Sequence, residues 1–129
     1  MAFTLTIIGI PTAKGRPRLT TRGGFARAFT PTKTREAESD ARGQVERQWN
    51  QEPLTGPIGV VMEFHMPKPK SLKKGTVHHS KKPDLDNLIK LCGDSLNGLV
   101  WSDDSIICSL EAFKRYSDTP KTVLHLTLL

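Results

Sequence analysis

The sequence has few cysteines and no long apolar run, and each of these absences excludes a class of protein. Cys92 and Cys108 are the two cysteines among 129 residues, and their spacing fits no zinc motif. We therefore expect a reduced, intracellular protein with both cysteines in its core. No apolar run approaches the roughly 18 residues of a membrane span. The N-terminus lacks the basic segment of a signal peptide, so we expect a cytoplasmic protein without membrane association.

Acidic residues are also missing from two long stretches of the chain. Residues 13–35 contain seven Lys and Arg residues and no acid, and residues 67–83 contain six and no acid. The whole chain has 19 Lys and Arg against 13 Asp and Glu, a formal net charge of +6. Such stretches favour nucleic-acid binding, because each phosphate that they neutralise releases condensed counterions. Solubility or an anionic membrane surface is the alternative interpretation, but no amphipathic or lipidation signal accompanies it.

Hydrophobic periodicity predicts one α+β domain over residues 1–129, in the order β-α-β-α-β-β. The predicted strands are 3–10, 58–66, 106–116 and 122–129, and the predicted helices are 31–52 and about 84–96. Thr32 or Thr34 is expected to cap the first helix. The turn at 117–120 predicts an antiparallel hairpin of the last two strands, and the basic loop 11–31 has room for a short hairpin. We expect one mixed sheet with both helices packed against it.

The segment Lys82–Lys90 (KPDLDNLIK), followed by Trp101–Asp104 (WSDD), is the most informative part of the chain. It brings carboxylates together with Lys90 in an otherwise basic protein. Taken alone, an Asp at a helix start is a cap, and Asp86 with Lys90 is an ordinary surface ion pair. Together, the carboxylates suit Mg²⁺ beside a phosphate and the lysine suits a leaving oxygen. The pattern therefore indicates a metal-dependent nuclease.

These motifs resemble the RusA family of Holliday junction resolvases. The resemblance includes Asp-x-Asp-Asn-x-x-Lys, Trp-x-Asp-Asp, the Lys-Gly-Arg-Pro-Arg segment at 14–18 and the chain length. It implies a homodimeric endonuclease that cuts four-way DNA junctions with Mg²⁺, or with Mn²⁺ as the alternative ion, and needs no small-molecule cofactor. It also implies that Asp84, Asp86, Asp104 and Lys90 are catalytic. The three carboxylates would bind the metal, and the adjacent Asp103 is expected to join them.

Basic side chains of both stretches are expected to contact the DNA backbone without reading its sequence. They are Lys14, Arg16, Arg18, Lys68, Lys70, Lys73, Lys74, Lys81 and Lys82. His78 and His79 are further candidates for phosphate contact. Trp101 is expected to pack beneath the acidic turn, and Phe25 and Phe29 either stack on bases or, as we favour, are buried.

Two other functions are consistent with the sequence. A non-catalytic protein that binds branched DNA would show the same salt-sensitive binding but no cleavage. A ribonuclease or another phosphodiesterase would use the same carboxylates on a different substrate.

Overall fold

The predicted α+β architecture is confirmed in the computed structural model, which describes residues 2–15, 18–20, 27–29 and 31–129. In chain order, the described residues form β1 (Ala2–Ile8), β2 (Arg18–Thr20), β3 (Arg27–Phe29), α1 (Thr32–Glu46), β4 (Ile58–Pro67), α2 (Leu85–Leu96), a 3₁₀ turn (Asp104–Ile106), β5 (Ile107–Ser117) and β6 (Lys121–Leu128). β2 and β3 pair antiparallel, which confirms a short hairpin within the first basic loop. No helix in these ranges is long and apolar enough to cross a membrane.

Strand β4 lies at the centre of a mixed sheet whose strand order is β1-β6-β4-β5. Its residues alternate between buried and half-buried, as expected for a strand that turns one face to a core. β6 pairs with β4 antiparallel and β5 pairs with it parallel, so Val60 lies between Leu126 and Leu110. The buried side chains of β4 are Ile58, Val60, Met62, Phe64 and Met66. A strand this apolar is best protected from water between two others.

The prediction that the last two strands form a hairpin is wrong, because β4 lies between them. The three residues between Ser117 and Lys121 have the usual length of a hairpin turn. They are also long enough to cross two strand spacings of about 4.8 Å, since each extended residue spans about 3.3 Å. β5 is therefore an edge strand, and Cys108 is exposed on it, contrary to the prediction. Cys92 is buried, as predicted.

Helix α1 ends at Glu46, earlier than its sequence pattern predicts. Apolar residues at helical spacing continue to Trp49, which is buried, but the chain there has already left the helix. The predicted threonine cap is also wrong, because Pro31 holds the cap position and no described side chain caps the helix. The buried Thr34 hydroxyl instead accepts a hydrogen bond from the Gly15 amide at 3.0 Å. This bond ties the start of the first basic loop to α1.

Helix α2 turns its apolar face to the core and is held at its far end by α1. Leu88 and Leu96 are fully buried. Arg42 of α1 donates hydrogen bonds to the carbonyl groups of Ser95 and Asn97, at 3.2 and 3.0 Å. Carbonyl groups at a helix C-terminus lack partners within the helix, and a cation there opposes the negative end of the dipole. These contacts fix which face of α2 points outward.

Two glutamine side chains, Gln44 of α1 and Gln48 just beyond its end, cover the outer edge of β1. Gln48 accepts a hydrogen bond from the Thr6 amide at 3.0 Å and donates one to the Thr6 carbonyl at 2.7 Å. Gln44 makes the same pair of bonds with Ile8, at 2.8 and 2.9 Å. A bare strand edge offers its backbone groups to other chains. The two amides therefore occupy the places that a neighbouring strand would fill.

The double substitution Gln44→Ala and Gln48→Ala should lower the free energy of unfolding by about 1–3 kcal/mol, because four hydrogen bonds are lost. Urea titration followed by circular dichroism measures this change. Gln51→Ala, which removes an exposed glutamine beyond α1, is the control and should change stability by less than about 0.5 kcal/mol. Equal stability of the double variant and the control would show that β1 does not depend on these bonds.

Candidate functional site

The exposed face of α2 begins with two carboxylates. Asp84 precedes the helix, and its carbonyl accepts the first helical hydrogen bond from the Leu88 amide at 3.2 Å. Among the described residues, the Asp84 carboxylate makes no capping hydrogen bond, so a capping role does not account for this residue. Asp86 accepts a hydrogen bond from the Asn87 amide at 3.0 Å through one oxygen. Both carboxylates are exposed and have oxygen atoms open to a ligand.

Lys90 lies one helical turn beyond Asp86 on the same face. Its ammonium pairs with Asp94, at 3.1 Å between Lys90 Nζ and Asp94 Oδ1. In the described part of the chain, Lys90 therefore has Asp94 as its ion-pair partner rather than Asp86, although both acids lie four residues from it. The Lys90 side chain is 60% exposed, so its charge stays accessible to a phosphate.

Asp94 also connects this face to the first basic loop. Its Oδ2 lies 3.2 Å from Lys14 Nζ, which is 2.7 Å from Glu38 Oε1 on α1. The Glu38 hydrogen bond raises the pKa of Lys14; partial burial opposes this rise and Asp94 adds to it. The Lys14 amide also donates to the Asn87 carbonyl at 2.9 Å. Two carboxylates thus share the charge of Lys14, and its contact with DNA phosphate stays a prediction.

Sequence reasoning gave Asp94 no role of its own and did not identify Glu38. Asp94 follows Lys90 by four residues, the spacing that brings side chains together on a helix. A signal for Asp94 was therefore present in the sequence. Glu38 is far from Lys14 and Asp94 along the chain. It reaches Lys14 only because α1 packs beside α2, which no local pattern reveals.

The second acidic motif is held in place by a buried tryptophan. Trp101 is fully buried, which confirms its predicted packing role, and its backbone is bridged to Leu54. Asp103 then caps the 3₁₀ turn, because its Oδ2 accepts a hydrogen bond from the Ser105 amide at 3.1 Å. Hydrogen bonds from Ser105 hold the pKa of Asp103 below its usual range. One oxygen of Asp103 is therefore occupied within the turn itself.

Asp104 faces an open pocket that it shares with the outer face of α2. The polar part of the pocket wall consists of Lys90, Asp94 and Asp104. Two motifs that are separate in sequence thus meet at one surface. Asp86 lies one turn from Lys90 on the same helix, and Asp84 lines a separate opening at the start of that helix.

The oxygen atoms of this surface suit a divalent cation of the hard type. Among the described residues, no three His, Cys, Asp or Glu side chains are grouped closely enough to hold a metal ion by themselves. Mg²⁺ is commonly held by one or two carboxylates, while water and substrate phosphates complete its octahedron. Asp84, Asp86 and Asp104 each present an exposed carboxylate, and one or two of them would suffice for that arrangement. The donor set is therefore suited to Mg²⁺ bound together with a phosphate.

The second basic loop, residues 67–83, ends beside the exposed face of α2. Lys82 and Asp84 line the same opening, and Lys68 at the start of the loop pairs with Asp118 at 3.1 Å. The remaining lysines predicted to bind DNA from this loop are all exposed: Lys70, Lys73, Lys74, Lys81 and Lys82. Positive charge therefore extends along the loop to the edge of the acidic face, by which we mean the surface that carries Asp84, Asp86, Lys90 and Asp104.

The two loop histidines have different surroundings. His79 is buried, and its ring centre lies 4.9 Å from that of Tyr116. Burial lowers the pKa of His79, and the charge of Lys114 lowers it further. His78 is exposed, so it is the better placed of the two for the predicted phosphate contact.

Some predicted contacts of the first basic loop fall outside the described residues. Arg16 and Phe25 belong to this group, as do the side chains of Arg18 and Phe29. The DNA contacts expected of the arginines and the burial expected of the phenylalanines stay predictions.

Comparisons with known proteins match nearly the whole chain. The family model described as endodeoxyribonuclease RusA matches residues 9–127. The uncharacterised protein YqaN of Bacillus subtilis strain 168 is 31% identical over 126 residues. That match covers 90% of this chain and 89% of YqaN. The range matched by the family contains both acidic motifs and both basic stretches.

The ion pairs of Lys14 predict an ordered set of pKa changes. Glu38→Gln should lower the pKa of Lys14 the most, because the Glu38 hydrogen bond is the main cause of its rise. Asp94→Asn should lower it less, and Glu46→Gln, which alters an exposed ion pair with Arg42, should leave it unchanged. Titration of the lysine side chains by NMR measures all three. A larger effect of Asp94→Asn than of Glu38→Gln would contradict the assignment.

Proposed function

Because the chain belongs to the RusA endodeoxyribonuclease family, we propose that it resolves four-way DNA junctions by paired symmetric nicks. Mg²⁺ dependence and a homodimer are part of the proposal. The observation that carries it is the meeting of the two acidic motifs at the exposed face of α2, beside a lysine-rich loop. The activity would serve DNA recombination and repair in the cytoplasm of a bacterial or phage-infected cell.

The chemistry of phosphodiester hydrolysis matches these side chains. It requires an activated water, a neutralised phosphate and a stabilised leaving oxygen. Asp84, Asp86 and Asp104 would hold Mg²⁺, which supplies positive charge and makes a bound water more acidic. Mn²⁺ is the alternative ion. Asp103, which was also expected to bind the metal, keeps one oxygen in its cap and would have only the other to offer.

Lys90 would act on the phosphate directly. Its exposed ammonium lies on the pocket wall with Asp104, where it can neutralise charge that develops on the leaving oxygen. Asp94, at 3.1 Å from Lys90 Nζ, would restrain the ammonium on this side of the helix. In this proposal the carboxylates bind the metal ion and Lys90 neutralises the leaving oxygen, which explains why a lysine lies among carboxylates.

The exposed lysines of the second basic loop would hold the DNA backbone. Lys73 and Lys74 lie within the loop, and Lys82 lies at the opening that also contains Asp84. A strand whose phosphates follow the loop would therefore arrive at the acidic face. Contacts of this kind give affinity and orientation without sequence readout.

A homodimer would account for paired nicks. Two copies related by a twofold axis present two identical sites to a junction whose opposed strands are also related by symmetry. Within the described sheet, Gln44 and Gln48 close the edge at β1, whereas Cys108, Ser109 and Glu111 near the start of β5 are exposed. This edge supports the proposal of contact with a second copy. Nicks at symmetric positions test the arrangement in the assay described next.

Cleavage of a labelled synthetic four-way junction tests the proposed function. With Mg²⁺, the wild-type protein should nick opposed strands of the junction and leave a linear duplex of the same sequence intact. Asp86→Asn should reduce cleavage by roughly 100-fold or more. The same variant should bind the junction at least as tightly, because a negative charge that faces phosphate is removed. Asp40→Asn, which neutralises an exposed carboxylate on α1, is the matched control and should cut at the wild-type rate.

Other results of this assay would point to a different function. Tight junction binding without cleavage, in both Mg²⁺ and Mn²⁺, would favour the non-catalytic DNA-binding protein. Cleavage of RNA or of linear DNA in preference to the junction would favour another phosphodiesterase. Wild-type cleavage by Asp86→Asn would contradict the proposed role of the α2 carboxylates.

The lysines of the second loop give a separate prediction on binding. Replacing Lys73 and Lys74 with Ala should weaken binding to every DNA tested and reduce the slope of log affinity against log salt by about 2, since two phosphate contacts are lost. Fluorescence titrations at several salt concentrations measure the slope. Replacing Arg47 and Lys121, which lie outside both acid-free stretches, removes the same charge and should change the slope little. An unchanged slope for the loop variant would show that Lys73 and Lys74 do not contact DNA phosphates.

A further inference from the structure

Lys114 is a lysine of the edge strand β5 whose side chain lies on the helix-covered face of the sheet. It is in register with Phe64 of β4, which is 2% exposed. Residues paired across neighbouring strands point to the same face, so the half-buried Lys114 leaves β5 at the margin of the core. The local sequence gives no sign of a special role, because Lys114 belongs to neither acid-free stretch and to neither acidic motif.

The ammonium group of Lys114 binds the segment of chain that leads into α2. Its Nζ donates hydrogen bonds to the Lys81 carbonyl at 2.5 Å and to the Pro83 carbonyl at 2.6 Å. A half-buried charge needs such partners, since burial without them is costly. Two of its three N–H donors are thus directed at backbone oxygens. This arrangement differs from that of the loop lysines, whose side chains extend into solvent.

The position of the Pro83 carbonyl group matters because the next residue is Asp84. The Pro83 carbonyl belongs to the same planar peptide unit as the amide of Asp84. Fixing that oxygen therefore fixes the plane from which the Asp84 side chain departs. The Lys114 carbonyl also accepts a hydrogen bond from the His79 amide at 3.3 Å, so β5 holds the preceding loop at two points.

We infer that Lys114 is a positioning residue that sets the place of the Asp84 carboxylate relative to Asp86 and Lys90. The inference rests on the proposed function, in which Asp84 holds the metal ion. Among the described residues, the Asp84 carboxylate has no capping bond of its own, so its placement depends on the backbone that carries it. Lys114 acts on that backbone from a different strand and touches neither metal nor phosphate.

The test compares Lys114→Met with Lys121→Met. The first keeps an unbranched side chain on β5 and removes the ammonium. The second also removes one half-buried lysine charge, but it lies beside His65 on the opposite face of the sheet. In metal-free protein, Lys114→Met should speed amide hydrogen exchange at residues 84–88 by about tenfold and leave exchange in β4 unchanged. Lys121→Met should leave both regions as in the wild type.

Cleavage provides the second readout. Lys114→Met should lower the maximal rate on a four-way junction by about tenfold and raise the Mg²⁺ concentration for half-maximal rate, because one carboxylate is misplaced. The affinity for the junction without Mg²⁺ should stay within about twofold of the wild type. Lys121→Met should match the wild type in all three quantities.

Three outcomes would overturn the inference. Wild-type exchange at residues 84–88 would show that Lys114 does not hold this segment. Weaker junction binding with unchanged Mg²⁺ dependence would make Lys114 a phosphate contact instead. Faster exchange throughout β4 would show a general loss of stability. If the wild-type protein cuts no junction, the proposed function fails, but the exchange experiment uses neither metal nor DNA and still decides whether Lys114 holds the backbone at Asp84.

Discussion

The double pairing of β4 (Ile58–Pro67) is the constraint on which the rest of the structure depends. With β6 on one side and β5 on the other, the buried side chains of β4 face the helices as one apolar surface. Leu88 and Leu96 of α2 are buried in the same core, and the helical period then turns Asp86 and Lys90 outward. The acidic face is therefore placed by core packing. Carboxylates that repel one another could not assemble it unaided.

Much of this fold can be predicted from the sequence, because each strand and helix has a periodic pattern of its own. The order of strands in the sheet cannot, since the three residues between β5 and β6 fit a hairpin turn and a crossing over β4 equally well. The burial of Cys108 was mispredicted for the same reason, as an edge position is decided by partners distant in sequence. Helix α1 shows a further limit: the periodic pattern extends to Trp49, but the helix ends before it.

The candidate site likewise contains residues that local sequence patterns reveal and residues that only long-range contacts reveal. Asp86 and Lys90 are recognisable because they lie in one short motif, and Asp94 follows at a spacing that predicts contact. The contribution of Glu38 depends on a contact between α1 and Lys14 of the first basic loop, and that of Lys114 depends on the position of β5. Long-range groups such as these do not alter the local pattern. Sequence reasoning therefore finds the proposed catalytic residues more readily than the residues proposed to hold them in place.

The structure also refines what the basic charge of the chain means. Lys14 is engaged by two carboxylates, Lys114 by two backbone carbonyls and Lys68 by Asp118. Net charge alone would count all three as available to DNA. The exposed lysines instead concentrate in the loop that ends at Asp84. Carboxylates repel a phosphate unless a cation lies between them, so in the proposed function the lysines of this loop attract the phosphate and a metal ion holds it at the acidic face. Binding and cleavage should therefore be separable, because different side chains support them.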